Sequence, residues 1–376
     1  MNDGSSMSAS GPTSEPAVGG GHVGGRADEA VGGGLGSNPS MFSQGSISRW
    51  LRAKHNALMV ADRFMTRGMA PGWSAEHRQR LQERVQVGLE KSPPGTLFEI
   101  PRRRDLSPRE FYREYLRPGK PVLLEGVAKD WPCCQKWSTE FLAEQYGDDR
   151  ITVAPTGVPF ADAPVKDTVS LREVLRNEDA DEFKYLRFHP MLNLHPELAD
   201  DVPAEWFQAH KGRRSLWSSN YFFIGTKGTS TDTHNAQPCN LFALVKGEKL
   251  WTLYPPGYTA LMDPPTSHSP FRLSRHNKGS MDDPIYERLN GYRVHMRAGD
   301  VLWNPPFWWH NVRNLTDTIG FGFRWNDHML ALKMHPTMLF VDLFLRDPSW
   351  FKLVRDARSE ARLARERRAS MASTGS

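Results

Sequence analysis

The chain has 376 residues, enough for one large domain or two small ones with a sizeable core. Its formal net charge is +5, but the basic tail at 355–368 mixes both signs at helical spacing without interleaved aromatic residues, so nucleic-acid binding is not expected. There is no run of about eighteen apolar residues, which argues against a membrane-spanning helix, and three cysteines make no disulfide framework; we expect an intracellular, cytoplasmic protein, with the nucleus as the alternative.

The first 45 residues are mostly Gly, Ser, Pro and Ala. Such a segment cannot bury enough apolar surface to offset its ordering entropy, and we expect it to be disordered. Residues 46–95 are predicted to hold the N-terminal helices, near 46–67 and 74–90. The first of these is amphipathic and basic, and we expect it to pack on the following domain.

Two capping boxes mark the starts of later helices, at Ser107–Glu110 and Ser170–Glu173. In each, the serine oxygen accepts a hydrogen bond from the third helical amide while the glutamate reaches back to the serine amide. Between the boxes, the stretch KPVLLEGVAKDWPCCQKWSTEFL predicts a short buried strand, a turn and a helix that begins at Ser138.

From about residue 218 the pattern changes to short runs rich in aromatic and β-branched residues. Turn signals such as Lys246-Gly247 and Ala298-Gly299-Asp300 separate them. Such runs are typical of an all-β barrel or sandwich. The predicted strands are SNYFFIG, NLFALV, KLWTLY, YRVHM, DVLWN and TIGFGFRW.

Residues 96–330 are therefore predicted to form an antiparallel β-barrel domain with helices on both sides. After Trp325 the helical pattern returns, with breaks at Pro336 and Pro348. Residues 331–376 are predicted to hold C-terminal helices and the basic tail, and these helices could form a homodimer face.

Two histidines, in TDTHNAQPCN and FWWHNV, lie close to apolar, aromatic-rich runs. Rigid aromatic residues around His310 would fix its ring and exclude bulk water, as a metal site requires. A core histidine bonded to a carbonyl is the alternative for His310, and a position on a surface loop is the alternative for His234. Together the two histidines suggest a metal site.

Three stretches carry a resemblance to a known family: KPVLLEGVAKDWP, SNYFFIGTKGTSTDTHNAQPCNLFALVKGEKLWTLYPP and GDVLWNPPFWWHNVRNL. Their order, their spacing and the YPP and PP-x-WWH elements resemble the JmjC/cupin-like iron(II)- and 2-oxoglutarate-dependent oxygenases. The small hydroxylase branch, which includes the asparaginyl hydroxylase acting on hypoxia-inducible factor, is especially similar. The resemblance implies a double-stranded β-helix (jelly-roll) fold, and an enzyme that uses iron(II), 2-oxoglutarate and dioxygen to oxidise a substrate C–H bond.

The resemblance also implies roles for particular residues. It assigns His234 and His310 to the iron, and Thr231 and Lys249 to the distal carboxylate of 2-oxoglutarate. Such a dicarboxylate in an apolar barrel needs a cation, although an exposed strand lysine is the alternative for Lys249. Asn240 matches an asparagine of the family in the same strand, and Tyr185 matches a tyrosine that lines the cosubstrate pocket.

The chain departs from the family motif His-x-Asp, because it has His234-Asn235-Ala236 and a methyl group cannot bind a metal. In one interpretation, the two histidines and 2-oxoglutarate hold the iron, and water or an anion takes the vacated position. Enzymes of this cofactor class with Ala or Gly at that position are halogenases. Chloride or bromide would fill the space left by the carboxylate and would supply the missing negative charge.

Two other interpretations stay open. Asp232, two residues before His234, would face the same side of a continuous strand and could supply the carboxylate of an ordinary hydroxylase. Alternatively, the domain is a non-catalytic JmjC-like binding module. Arg324 either pairs with a cosubstrate or substrate anion or faces solvent, and the substrate, a small molecule or a protein side chain, is not identified by the sequence.

Overall fold

The computed structural model describes residues 47–65, 72–152, 154–155, 168–176, 184–213, 215–266, 271–277 and 283–343. The expected disorder of the first 45 residues and the predicted basic tail lie outside these ranges. Helices α1 (Arg49–Met65) and α2 (Gly72–Glu90) confirm the two predicted N-terminal helices.

The remaining described helices are short. Both capping boxes are confirmed: Ser107 and Glu110 bond reciprocally at the start of α3, and Ser170 and Glu173 do so at the start of α6. In chain order the helices are α3 (Pro108–Phe111), α4 (Pro132–Lys136), α5 (Thr139–Tyr146), α6 (Leu171–Arg176), α7 (Met191–Leu194), α8 (Pro196–Ala199), α9 (Ala204–His210), α10 (Thr259–Met262), α11 (His328–Met334) and α12 (Pro336–Leu343).

Most of the strands follow residue 215, as the pattern predicts. The described strands are β1 (Leu97–Glu99), β2 (Arg102–Arg103), β3 (Val122–Leu124), β4 (Arg150–Thr152), β5 (Ala154–Pro155), β6 (Thr168–Ser170), β7 (Lys184–His189), β8 (Leu216–Gly225), β9 (Ser230–Ala236), β10 (Cys239–Lys246), β11 (Glu248–Tyr254), β12 (Phe271–Leu273), β13 (Gly291–Arg297), β14 (Val301–Asn304), β15 (Trp309–Asn314) and β16 (Thr318–Asn326).

The strands form two large sheets. One has the order β1-β13-β11-β15-β9-β12 and the other β2-β3-β14-β10-β16-β8-β7-β5, while β4 pairs with β6 alone. The pairing is antiparallel, as predicted, except where the short edge strands β1 and β2, which were not predicted, join β13 and β3 in parallel. Two sheets packed face to face are consistent with the jelly-roll form of a double-stranded β-helix.

An apolar cluster to which both sheets contribute fills the space between them. Along β10, Phe242 and Leu244 belong to this inner cluster, whereas Leu241 and Ala243 pack on the helices behind the eight-stranded sheet. This alternation is the period of two of a strand buried on both faces. Because Trp251 is an inner residue of β11, Lys249, two residues earlier, also faces the space between the sheets.

None of the described helices has the length and apolar character needed to span a bilayer.

Candidate metal and cosubstrate site

The two central histidines are neighbours on adjacent strands. β9 and β15 pair antiparallel, with the Cα atom of His234 opposite that of His310. Their ring centroids lie 4.2 Å apart at an angle of 52°. The side chains are almost completely buried. The structure therefore brings together the two imidazoles that the sequence suggested as a pair.

Hydrogen bonds fix the orientation of both rings. The Nδ1 atom of His234 lies 2.8 Å from the carbonyl oxygen of Asp232, and that of His310 lies 2.9 Å from the carbonyl oxygen of Trp308. A carbonyl only accepts, so each Nδ1 carries the proton and each Nε2 keeps its lone pair, the form in which histidine binds a metal. The Trp251 ring stacks on His310 with centroids 5.4 Å apart.

Burial also keeps both rings neutral. It lowers the pKa of His234 to about 4 and, together with the nearby His234 ring, holds the pKa of His310 well below its ordinary value. Neutral imidazoles at physiological pH are ready to bind a metal without first losing a proton.

A β-bulge decides which side chains join the histidines. His234 pairs with His310 and Thr231 with Val312, so three steps along β9 match two along β15. Regular alternation would turn Thr231 away from His234. The extra residue instead places both on the face between the sheets.

Asp232 would face the same side as His234 only if the strand were continuous. The bulge excludes this, because β9 is not a continuous regular strand at this point. Among the residues that the structure describes, no group of three His, Cys, Asp or Glu side chains is placed to hold a metal. Burial raises the pKa of the Asp232 carboxyl, while the charge of Arg187 acts in the opposite direction. Asp232 is therefore not placed as a third ligand, and the expectation that it faces the site along a regular strand is wrong.

Ala236 lies two residues after His234, at the end of β9. From His234 to Ala236, β9 pairs with β12 without a register shift, so these two residues share one face of the strand. The Ala236 side chain is buried, and its carbonyl accepts a hydrogen bond from the Phe307 amide at 2.9 Å.

Lys249 is completely buried. Its ammonium group donates to the side-chain oxygen of Asn314 and lies 3.5 Å from the hydroxyl of Tyr185. In the described part of the chain no carboxylate pairs with it, since its hydrogen-bond partners, Asn314 and Tyr185, are both neutral. Burial lowers the pKa of Lys249, and the neighbouring Tyr185 hydroxyl opposes this effect. The alternative of an exposed strand lysine is therefore wrong.

Asn314 is a site residue that the sequence reasoning missed. Its amide donates to Thr229 at 2.6 Å while its oxygen receives Lys249, so it fixes the position of the ammonium group. A β-carbon added at Gly225 would lie only 2.1 Å from the Asn314 amide nitrogen, and the glycine therefore makes room for it. The available signal was spacing, because Asn314 lies four residues after His310 on the same strand.

A small cavity of about 40 Å³ joins these groups. Six of the seven predicted site residues line it, Ala236 being the exception. The six are Tyr185, Thr231, His234, Asn240, Lys249 and His310.

Two arginines also line this cavity, and none of its described lining residues is acidic. Arg187 was missed by the sequence reasoning. Arg324 lies on the inner face of β16 and is only 8% exposed, so the solvent-facing alternative is wrong. Burial lowers the pKa of Arg324 to about 10. With Lys249, the cavity therefore gathers three basic side chains, and it is suited to an anionic ligand.

Comparisons with known proteins find a family match over the region that holds this cavity. Residues 108–330 match the family model described as a cupin-like domain. The lysine-specific demethylase JMJ30 of Arabidopsis thaliana is 27% identical over 244 residues, which cover 62% of this chain and 56% of the relative. The human bifunctional peptidase and (3S)-lysyl hydroxylase JMJD7 is 24% identical over 266 residues, or 60% of this chain and 83% of the relative.

A third relative is the 2-oxoglutarate and iron-dependent oxygenase JMJD4 of Gallus gallus, 25% identical over 246 residues, or 57% of each chain. The present chain thus spans little more than half the length of the Arabidopsis and Gallus relatives. A particular likeness to the asparaginyl hydroxylase branch stays a prediction.

Proposed function

The chain belongs to the cupin-like domain family, in its JmjC group, and from that premise we propose that it is an iron(II)- and 2-oxoglutarate-dependent oxygenase that oxidises a substrate C–H bond. One observation carries the proposal. The fully buried Lys249 ammonium has neutral partners, Asn314 and Tyr185, at a cavity that both imidazoles line. Holding a cation there costs free energy unless an anion offsets it.

A dicarboxylate such as 2-oxoglutarate meets that requirement. One carboxylate would receive a charge-assisted hydrogen bond from Lys249, with the Thr231 hydroxyl on the same face of the cavity. The opposite end of the cosubstrate would reach towards His234 and His310. Tyr185 and Asn240 line the same cavity and would limit how the cosubstrate is oriented.

His234 and His310 would hold the iron through their Nε2 atoms. Bound iron together with 2-oxoglutarate supplies the activation of dioxygen that C–H oxidation needs. The chain supplies the fixed orientation of the rings, through the carbonyls of Asp232 and Trp308, and a wall that excludes bulk water. That wall includes the rings of Phe223, Phe242 and Trp251, which line the cavity.

Ala236 adds a finer proposal about the product. With no carboxylate at this position, one place beside the metal is left to a small exogenous ligand. Lys249, Arg187 and Arg324 make the cavity basic, and this charge favours an anion over water. We therefore expect chloride or bromide beside the iron and halogenation of the substrate in place of hydroxylation.

The test is the conversion of 2-oxoglutarate to succinate by the full chain with iron(II), with and without chloride or bromide. We expect halide-dependent turnover in the wild type. Ala236→Asp restores the third ligand, so this variant should bind iron about 10–100-fold more tightly and should lose the halide dependence. Ala236→Gly is the matched control, and because it also lacks a ligand it should keep that dependence.

A second candidate is a non-catalytic binding module. It is favoured by the finding that, within the described residues, the imidazole pair has no third metal-binding side chain. If neither the wild type nor Ala236→Asp binds iron or 2-oxoglutarate in a thermal-shift assay, this candidate replaces the oxygenase. If both bind and only the halide has no effect, the oxygenase stands and the halogenation proposal fails.

A further inference from the structure

A second cavity, far larger than the histidine site, shares no lining residue with it. It has a volume of about 890 Å³ and lies between α3 with the π-helical turn Tyr112–Leu116, the end of α9, and α11. Its basic lining residues are Arg109, Arg117, Lys211, Arg213 and Lys333. We call this cavity the basic groove.

The described residues around the basic groove do not neutralise its charge. Its one lining carboxylate, Asp327, is buried and accepts from the Leu330 amide at 2.9 Å as the N-cap of α11. Lys333 donates to the backbone carbonyl of Arg117 at 2.9 Å. Within the described residues, no carboxylate pairs with Arg109, Arg117, Lys211 or Arg213.

Other surface arginines of the protein do pair with carboxylates. Arg103 lies 3.0 Å from Glu114, Arg104 lies 2.8 Å from Glu125, and Arg172 lies 3.1 Å from Asp148. A concave surface that concentrates cations without local counter-charges attracts a ligand of opposite charge.

Apolar side chains lie between the cations. Tyr112 and Met329 line the basic groove although they are 50% and 55% exposed, and Leu116 and Leu330 form part of its wall. Proteins that bind single-stranded nucleic acids without sequence preference stack successive bases on several aromatic side chains. Of the described residues that line the groove, Tyr112 is the only Phe, Tyr or Trp, which disfavours that class of ligand.

We propose that the basic groove binds an acidic peptide segment of a partner protein. Carboxylates of the segment would meet the arginines and lysines, and its apolar side chains would cover Tyr112 and Met329. The inference does not depend on iron or 2-oxoglutarate chemistry at the histidine site, because the two cavities have no residue in common.

The test uses the full chain and a fluorescein-labelled peptide of about twelve alternating Glu and Leu residues, with binding followed by anisotropy. We expect saturable binding that weakens as NaCl is raised from about 50 to about 300 mM, since salt screens exposed charges. The same peptide with Gln in place of Glu should bind at least about tenfold more weakly.

The double variant Arg117→Glu/Arg213→Glu should lower the affinity for the Glu peptide by about tenfold or more. The matched control is Arg80→Glu/Arg84→Glu, which makes the same charge change on the exposed surface of α2, outside the groove, and should bind as the wild type does. If thermal unfolding shows that the double variant is damaged, Arg117→Gln/Arg213→Gln replaces it and should weaken binding by a smaller factor.

Three results would overturn the proposal. The first is equal binding of the Glu and Gln peptides, and the second is an unchanged affinity in the folded double variant. The third is tighter binding of single-stranded RNA than of the Glu peptide, with loss of RNA binding in the double variant, which would assign the groove to nucleic acid.

Discussion

Lys249 is a single residue at which stability and binding have opposite requirements. Its ammonium group is completely buried beside two neutral hydrogen-bond partners, and the rings of Tyr185 and Phe242 lie 5.3 and 5.6 Å from its nitrogen. Such a group destabilises the folded chain until an anion binds. A buried charged residue that lowers the stability of the fold and lies at a cavity is best explained by a role in binding a ligand.

Lys249→Met tests this balance, because methionine has a similar length and no charge. We expect the free energy of unfolding to rise by about 1–3 kcal/mol without ligand, since the desolvated charge is removed. Affinity for 2-oxoglutarate should fall by at least about a hundredfold with the loss of its charged partner. Denaturant unfolding and calorimetric titration measure the two effects.

Lys246→Met provides the comparison. This lysine is 40% exposed and lies near Glu140 at the surface, so its replacement should change neither quantity appreciably. Unchanged 2-oxoglutarate affinity in Lys249→Met would remove the main support for the proposed cosubstrate site.

At the scale of one element, the bulge in β9 sets the composition of the site. It turns Thr231 to the same side as His234, although these residues are an odd number of positions apart. Thr233, next to His234, is buried and instead receives a hydrogen bond from the Asn311 amide at 3.2 Å. The bulge thus separates a hydroxyl at the cavity, that of Thr231, from one that bonds within the sheet, that of Thr233.

Thr231→Val should therefore lower 2-oxoglutarate affinity by about tenfold through the loss of one hydrogen bond, with little change in thermal stability. Thr233→Val should leave 2-oxoglutarate affinity almost unchanged. It should lower stability by about 1–2 kcal/mol, because it leaves the buried side-chain amide of Asn311 without its acceptor. Calorimetry and thermal unfolding distinguish the two. Equal effects of both variants on 2-oxoglutarate would mean that the bulge does not sort the side chains in this way.

The start of α12 depends on a neutral histidine. The His335 Nδ1 atom accepts a hydrogen bond from the Met338 amide at 3.2 Å, and burial lowers the pKa of His335 to about 4. In the unfolded chain the ring takes up a proton near its ordinary pKa of 6.5, but in the folded chain only near 4. Between these values the unfolded state binds more protons, so stability falls as the pH is lowered.

His335→Asn keeps a side-chain acceptor suited to a helix start but does not titrate. We expect it to reduce the loss of stability between about pH 6.5 and about pH 4 by roughly 2 kcal/mol. Urea unfolding at several pH values measures this, and the value at neutral pH, where the wild-type ring is neutral, is the internal reference. An unchanged pH profile would show that His335 has no part in the acid sensitivity.

At the scale of the whole molecule, buried charge joins the N-terminal helices to the rest of the fold. Asp263, 2% exposed, accepts from His55 of α1 at 2.9 Å and from Arg78 of α2 at 2.7 Å. Burial acts to raise the pKa of Asp263, but the hydrogen bond from His55 and the charges of Arg78 and Arg275 outweigh it and hold the pKa below its ordinary value. Neither helix lies within the residues that match the cupin-like family model.

Asp263→Ala should destabilise the protein by about 3–5 kcal/mol, because it leaves the buried Arg78 guanidinium without its carboxylate. Limited proteolysis should then cut first within α1 and α2. Asp263→Asn should lose less stability than Asp263→Ala, since asparagine keeps an acceptor and tolerates the left-handed backbone found here, with φ of 38°. A loss below about 1 kcal/mol in Asp263→Ala would mean that apolar packing alone docks these helices. The homodimer face predicted on the C-terminal helices of residues 331–376, which are described only as far as residue 343, stays a prediction.

The sequence by itself determined the capping boxes and most of the strands rich in aromatic and β-branched residues, because these depend on local pattern. Through its resemblance to a known family, it indicated the family and the jelly-roll class. It also identified Lys249 and the two histidines through their resemblance to the family. It did not show β9 and β15 as strands, since STDTHNA is largely polar and the WHNVRN stretch follows two prolines.

The tertiary structure alone decided the position of Thr231 and Asp232 relative to His234, and the contributions of Asn314 and Arg187. Each of these depends on pairing between strands that are distant in the chain. The register of such a pair is set by the partner strand and the packed interior, so a local pattern carries too little information to predict it.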